Sequence, residues 1–259
     1  MKEYLTELFN LQNKVAAVTG GGGYLCGEMA KSLAMAEVSV AVLDLRLQKA
    51  EAVRDEIIKS GGKAIAMSFD VTQVDAHPRK LERIIQEFGG VDILINGAGI
   101  NASTPFFDIT LDEWHAIIDS HITGTFLACQ TFGKYMVERQ KGSIINISSA
   151  SSGPPLSKAF TYSVAKAGIK NLTQNLAREW APFNVRVNAL RPGFFPTEWS
   201  KKNFITKERG KAILGHTPMG RYGRPDELVG AVLWLASDAA SFVTGAEISV
   251  DGGFTCMTI

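Results

Sequence analysis

Short apolar runs alternate with longer amphipathic stretches almost from one end of the chain to the other. KVAAVTG, VSVAVLD, KAIAMSFD, VDILING, GSIINISS, VRVNAL and AEISVDGG each read as a buried strand. Segments of helical period lie between successive runs; in LTQNLAREWA, Leu172, Leu176 and Trp180 repeat at i, i+4 and i+8. Carried through seven strands, this alternation predicts an α/β fold, a doubly wound parallel sheet with helices on both faces. No linker, repeat or low-complexity tract interrupts residues 1–259, so a single domain is expected. The one long stretch without a strand signal, 193–216, precedes a helix that begins near Pro225. A segment of that length inside a compact domain is expected to be a substrate-binding loop or lid.

Composition narrows the function classes. With 259 residues, 46% hydrophobic and 20% charged, the chain is long enough for a large buried core. A formal net charge of +1 favours neither nucleic acid nor an anionic membrane surface as a partner. No run of 18 apolar residues offers a membrane span, and MKEYLTELFNLQNK carries acids where a secretory signal needs an apolar stretch. Cys26, Cys129 and Cys256 are odd in number and far apart, so neither a disulfide framework nor a metal site is indicated, and a reducing cytoplasm is expected.

In such sheets ligands bind beyond the carboxyl ends of the strands. The first strand is followed by TGGGGYLCGEMA, whose Gly20 to Gly23 can turn tightly and bring backbone N–H groups to a phosphate at a helix N-terminus. The second strand ends in Asp44, at the distance where a carboxylate binds an adenosine ribose and repels a 2′-phosphate. This Rossmann-type pattern favours NAD over NADP, with Arg46 keeping NADP open. Asp70 after the third strand and Asn96 to Gly99 after the fourth extend the row of small or polar strand ends along one edge.

TYSVAKAG then places Tyr162 and Lys166 at i and i+4, on one face of a helix. That pair alone is common by chance. Together with Thr19 and Gly20, Asn96 to Gly99, Ser149 thirteen residues before Tyr162, and Pro192 to Thr197, it resembles the short-chain dehydrogenase/reductase family, from about Lys14 to Gly253. The resemblance implies a single Rossmann-type domain, alcohol–ketone chemistry and a homotetramer. It implies Tyr162 as general acid/base, Lys166 to lower the phenol pKa and hold the nicotinamide ribose, and Ser149 to bind the substrate oxygen. Ser148 should point to the opposite face of its strand and be structural. The cofactor would lie along Gly20, Gly22, Gly23, Tyr24, Leu25, Asp44, Asp70 and Val71. It would continue past Asn96, Gly97, Ala98 and Gly99 to Tyr162 and Lys166, and end at Pro192, Gly193, Phe195 and Thr197.

Three positions depart from the family pattern. Tyr24 and Cys26 stand where its second and third turn glycines fall, so Gly21 to Gly23 and Gly27 must compensate. His121 occupies the slot of the helix Asn that serves a proton relay. An imidazole with a pKa near neutrality can hold the relay water, shuttle protons itself or simply pack the helix, and His121 stands among the catalytic candidates. Arg191 replaces a small apolar residue and either lends a cation to the pocket or pairs with an acid. In the loop after the sixth strand, Lys201, Lys202, Lys207, Arg209, Lys211 and His216 could include a partner for a carboxylate. TGGGGYLCGEMA, RPGFFPTE and RGKAILGHTPMGRYGRP look like the family branch of D-mannonate oxidoreductase, or fructuronate reductase. INAST stands where that branch tends to carry Gly-Asn-His. The expected small-molecule substrate is therefore a sugar acid or related polyol. The alternatives are a 3-ketoacyl-type reductase and a catalytically silent NAD-binding protein.

Overall fold

The computed structural model describes residues 2–258. In chain order the elements are α1 (Lys2–Leu8), β1 (Val15–Thr19), α2 (Tyr24–Met35), β2 (Ser39–Asp44), α3 (Leu47–Lys59), β3 (Ala64–Ser68), α4 (Ala76–Phe88) and β4 (Ile93–Asn96). Then come α5 (Leu111–Ile118), α6 (Gly124–Ala128) and α7 (Lys134–Glu138), three parts of one rod joined by π-helical turns at Asp119–Thr123 and Cys129–Gly133. The chain continues through β5 (Gly142–Ile147), α8 (Phe160–Trp180), β6 (Val185–Pro192), α9 (Glu198–Phe204), α10 (Lys207–Gly215), α11 (Val229–Ala236) and β7 (Glu247–Val250).

All seven expected strands form one parallel sheet, in the order β3-β2-β1-β4-β5-β6-β7. Their side chains alternate between two cores because successive residues of a strand face opposite ways. Ala16 and Val18 of β1 point to the face covered by Met29 and Leu33 of α2 and by Val232 and Leu235 of α11. Val15 and Ala17 point to the other, where Ile84 of α4, Phe132 and Met136 of the rod and Ala177 of α8 pack. The rod and α8 approach closely at Gly133, where any Cβ would run into the Trp180 ring. Strand order reverses at β1, which pairs with both β2 and β4. A cleft at the carboxyl ends of these strands follows from that reversal.

Segment 193–216 holds two short helices, α9 and α10. Each starts on a threonine whose hydroxyl accepts a backbone N–H: Thr197 from Ser200 at 3.0 Å and Thr206 from Arg209 at 3.2 Å. The helix α1 lies ahead of the strand–helix alternation.

Candidate active site

The turn after β1 is shaped by steric necessity. Gly20 has φ +66°, and a Cβ there would press on the backbone of Gly97 and Ala98. Gly22 fits against Lys49 and Ala50 of α3 with no room for a side chain. Helix α2 has Gly23 at its N-cap, with no capping side chain and no acid in its first turn. Its first N–H groups therefore keep their positive end for a phosphate. Tyr24 is exposed and Leu25 packs inward. Cys26 is buried, with its Sγ over Gly97 in the space a Cβ would need. The thiol thus fills the gap that a turn glycine would leave and requires a glycine opposite. Gly97→Ala is expected to destabilise the protein by about 1–3 kcal/mol through overpacking, and Cys26→Ala to recover part of that loss in the double variant. Urea midpoints of the four proteins check it; strict additivity would show that the two side chains do not compete.

Asp44 ends β2 buried, its two oxygens accepting the N–H groups of Gly22 (3.2 Å) and Arg46 (3.0 Å). The Arg46 side chain is largely exposed and reaches only to 3.9 Å. Asp70 caps its own turn, accepting from Thr72 N–H (3.0 Å) and Thr72 Oγ–H (2.8 Å), and the buried Val71 packs on Gly124 of the rod. Asn96 turns its side chain inward, donating to Asn146 Oδ1 (2.9 Å), while Asn146 donates to Thr173 (2.9 Å). Only the Asn96 backbone is left to the cleft. The N–H groups of Gly97 and Ala98 donate to Thr19 Oγ1 at 3.1 and 3.3 Å, which pins this turn against the first. Pro192 ends β6 buried, and Gly193 after it lies against the Asp251 backbone. Phe195 turns its ring onto Gly223 and the core.

Ser149, Tyr162, Lys166 and His121 converge beyond the ends of β4 and β5. Lys166 is buried and donates to the Ile147 carbonyl at 2.6 Å, with Nζ 5.5 Å from the centre of the Tyr162 ring. Desolvation pushes its pKa down to about 8, opposed by the Cys26 thiol. Tyr162 is half-buried. Burial raises its phenol pKa, with the Ser149 hydroxyl acting the other way. The expected depression of that pKa by Lys166 is thus not what the chain alone produces, because desolvation of the phenolate dominates. Ser148 donates to Glu247 at 2.6 Å, on the far side from Ser149, as the strand geometry requires.

His121 lies in the first π-turn, edge-on to Tyr162 with ring centres 5.1 Å apart and Gly99 against its own ring. Its Nε2 is 2.8 Å from the Ile100 carbonyl, which can only accept, so Nε2 carries the proton and Nδ1 is left without a partner. Burial and the Lys166 charge drive its pKa well below the usual value. The imidazole stays neutral through the physiological range, and an amide carbonyl cannot take a proton onward. This corrects the expectation of a shuttle titrating near neutrality.

Arg191 pairs with Glu247 at 3.2 Å. Among the loop cations, Lys201 pairs with Glu198 at 2.7 Å and His216 meets Phe254 edge-on. Arg209 reaches from α10 to the Ser157 carbonyl at 2.7 Å, bridging α10 to the segment that follows Ser149. Ser151, Ser152 and Glu247 were not singled out by sequence; their roles come from contacts between distant strands.

A glycine turn at an open helix N-terminus, a buried carboxylate at the end of β2 and a Tyr–Lys–Ser cluster at the switch point fit an oxidoreductase of the nicotinamide-dependent class. The family model described as enoyl-(acyl carrier protein) reductase matches residues 25–255, and the chain belongs to the short-chain dehydrogenase/reductase family. It is 40% identical to the uncharacterized oxidoreductase UxuB of Bacillus subtilis, over 95% of this chain and 96% of that one. A Haemophilus influenzae structure provisionally named D-mannonate oxidoreductase, with bound NAD, is 37% identical over 96% of this chain and 97% of that one, with a TM-score of 0.90. A gluconate 5-dehydrogenase from Burkholderia cenocepacia, in complex with NADP and tartrate, is 31% identical with a TM-score of 0.93, over 98% of this chain and 100% of that one. No helix among the described residues is long and apolar enough to cross a membrane.

Proposed function

We propose that this protein interconverts a secondary alcohol and a ketone on a sugar acid or related polyol of the mannonate/fructuronate kind, using NAD(H). The observation that carries the reading is the convergence of Ser149, Tyr162 and Lys166 next to a turn that leaves a helix N-terminus open. The buried, anchored Asp44 at the end of β2 supports NAD, since a carboxylate there would bind a ribose diol and oppose a 2′-phosphate. The names of the mannonate and gluconate relatives support the substrate class.

Bound nicotinamide supplies hydride acceptance in one direction and donation in the other. In alcohol oxidation, Tyr162 takes the hydroxyl proton of the substrate while Ser149 hydrogen-bonds the same oxygen. In ketone reduction Tyr162 returns that proton. Since burial raises its pKa, the phenol stays protonated at neutral pH in the chain alone, poised as the acid for reduction. Lys166, fixed by the Ile147 carbonyl, keeps two N–H donors for the ribose and a cation beside the phenol. One of the loop cations, among Lys201, Lys202, Lys207, Arg209, Lys211 and His216, would face the substrate carboxylate. A homotetramer belongs to the same proposal, supported by the exposed Phe160 and Val164 on α8 and Phe126 on the rod. A cytoplasmic location is consistent with Cys26, Cys129 and Cys256, all free thiols.

Incubation with NADH or NADPH and a panel of D-fructuronate, 5-keto-D-gluconate, neutral ketoses and acetoacetyl thioesters, followed by nicotinamide absorbance, tests the reading. Turnover of thioesters alone would replace it with a ketoacyl reductase. For Asp44→Ala, the NAD-to-NADP ratio of kcat/KM is expected to fall by about 10- to 100-fold, the equivalent of one charge-assisted hydrogen bond. An unchanged ratio would mean that Asp44 does not face the ribose.

A further inference from the structure

Four serines stand within five residues at the end of β5, and the structure divides them into two pairs. Ser148 and Ser152 donate to one oxygen of Glu247, at 2.6 and 2.8 Å. Arg191 pairs with the other oxygen and also reaches the Ala150 carbonyl at 3.4 Å. This knot clamps the backbone on both sides of Ser149. The other pair faces itself: the Ser151 N–H lies 3.2 Å from Ser149 Oγ, and Ser151 Oγ lies 3.1 Å from the same atom.

We propose that Ser151 is a positioning residue for the reaction, its hydroxyl donating to Ser149 Oγ so that the Ser149 proton is turned toward the reacting oxygen. A hydroxyl has two acceptor sites and one proton. The Ser151 N–H can only donate, which fills one acceptor site of Ser149; the Ser151 hydroxyl fills the second. Ser149 is then left with one free function, donation, the one that a developing oxyanion or a phenolate needs. The interaction between Ser149 and Tyr162 runs in that sense, since the Ser149 hydroxyl favours the ionised phenol. The chain Ser151→Ser149→oxygen is also cooperative, each bond polarising the next. Ser151 is buried, so water does not compete for its proton.

The inference rests on the proposed reaction, and its test separates the two. Reduction of D-fructuronate and 5-keto-D-gluconate by NADH is measured for the wild type, Ser151→Ala, Ser151→Cys, Ser149→Ala and Tyr162→Phe. Ser151→Ala keeps the backbone bond and loses only the hydroxyl. Its kcat is expected to fall about 3- to 10-fold, as for one hydrogen bond lost from the transition state, with the KM for NADH and the melting temperature unchanged. Ser151→Cys, similar in size with a weak donor, should fall between. A wild-type kcat in Ser151→Ala, or a fall matched by lost melting temperature or a raised KM for NADH, overturns the role of Ser151. If Ser149→Ala and Tyr162→Phe also run at the wild-type rate, the proposed reaction itself fails. Should neither acid be turned over, the ultraviolet titration of Tyr162 with NAD bound decides, taken as the difference from Tyr162→Phe. Lys166, His121 and Ser149 still face the phenol in Ser151→Ala, so its titration should move to higher pH through the lost polarisation alone; an unmoved curve overturns the inference.

Discussion

Tyr162→Phe is expected to lower kcat by about 10²- to 10⁴-fold, the range assigned to a positioned general acid or base. Phenylalanine keeps the ring that meets the edge of His121 and lies beside Lys166, so packing and cofactor affinity should survive. What disappears is the phenol proton that is passed to and from the substrate oxygen. His121 cannot replace it, being neutral with Nε2–H committed to Ile100. Lys166 donates to the Ile147 carbonyl and lies 5.5 Å from the centre of the Tyr162 ring, beside the phenol rather than in its place. Nicotinamide fluorescence titration gives the affinity and stopped assays the rate. Residual turnover above roughly a few per cent of wild type would remove Tyr162 from the role of acid/base.

The sheet was readable because parallel strands, covered on both faces, are written as plain apolar runs, and each of the seven runs became a strand. The polar ends of those runs were readable for the same reason, since the cleft lies where the strands stop. Helices α9 and α10 are only faintly written in the sequence: WSKKNF and ERGKAILG carry no clear apolar stripe, and the sharper signal is the pair of capping threonines, Thr197 and Thr206. Cys26 read as a defect in the glycine turn. Only the approach of β4 reveals that its sulfur fills the space over Gly97. The Glu247 knot is further from sequence still, because Ser148 and Glu247 are 99 positions apart and meet only once β7 has joined β6 beside β5. The tyrosine and histidine pKa values could not be read either, as both follow from how far each ring is buried.

Lys166→Met is expected to make the protein more stable at neutral pH while abolishing activity. Lys166 is fully enclosed, its nearest polar partner is the neutral Ile147 carbonyl, and its pKa is lowered from 10.5 to about 8. A folded-state pKa below the unfolded one means that folding disfavours the charged form. That cost is fully present below about pH 8, where both states are protonated, and fades as pH rises toward 10.5, where both become neutral. The shift corresponds to about 3 kcal/mol. Methionine has a similar length and removes the cost, but it leaves the Ile147 carbonyl without its donor, which returns about 1–2 kcal/mol. A net gain of about 1–2 kcal/mol at pH 7 remains, or roughly 2–8 °C in melting temperature. The same substitution deletes the cation beside Tyr162 and the donors for the ribose, so function and stability pull in opposite directions at this one residue. Thermal melts of the wild type and Lys166→Met at pH 7 and again near pH 10 check both parts, because the variant's advantage must shrink at the higher pH. A variant less stable than wild type at pH 7, or an advantage of equal size at both pH values, would show that burying this ammonium is not what the fold resists.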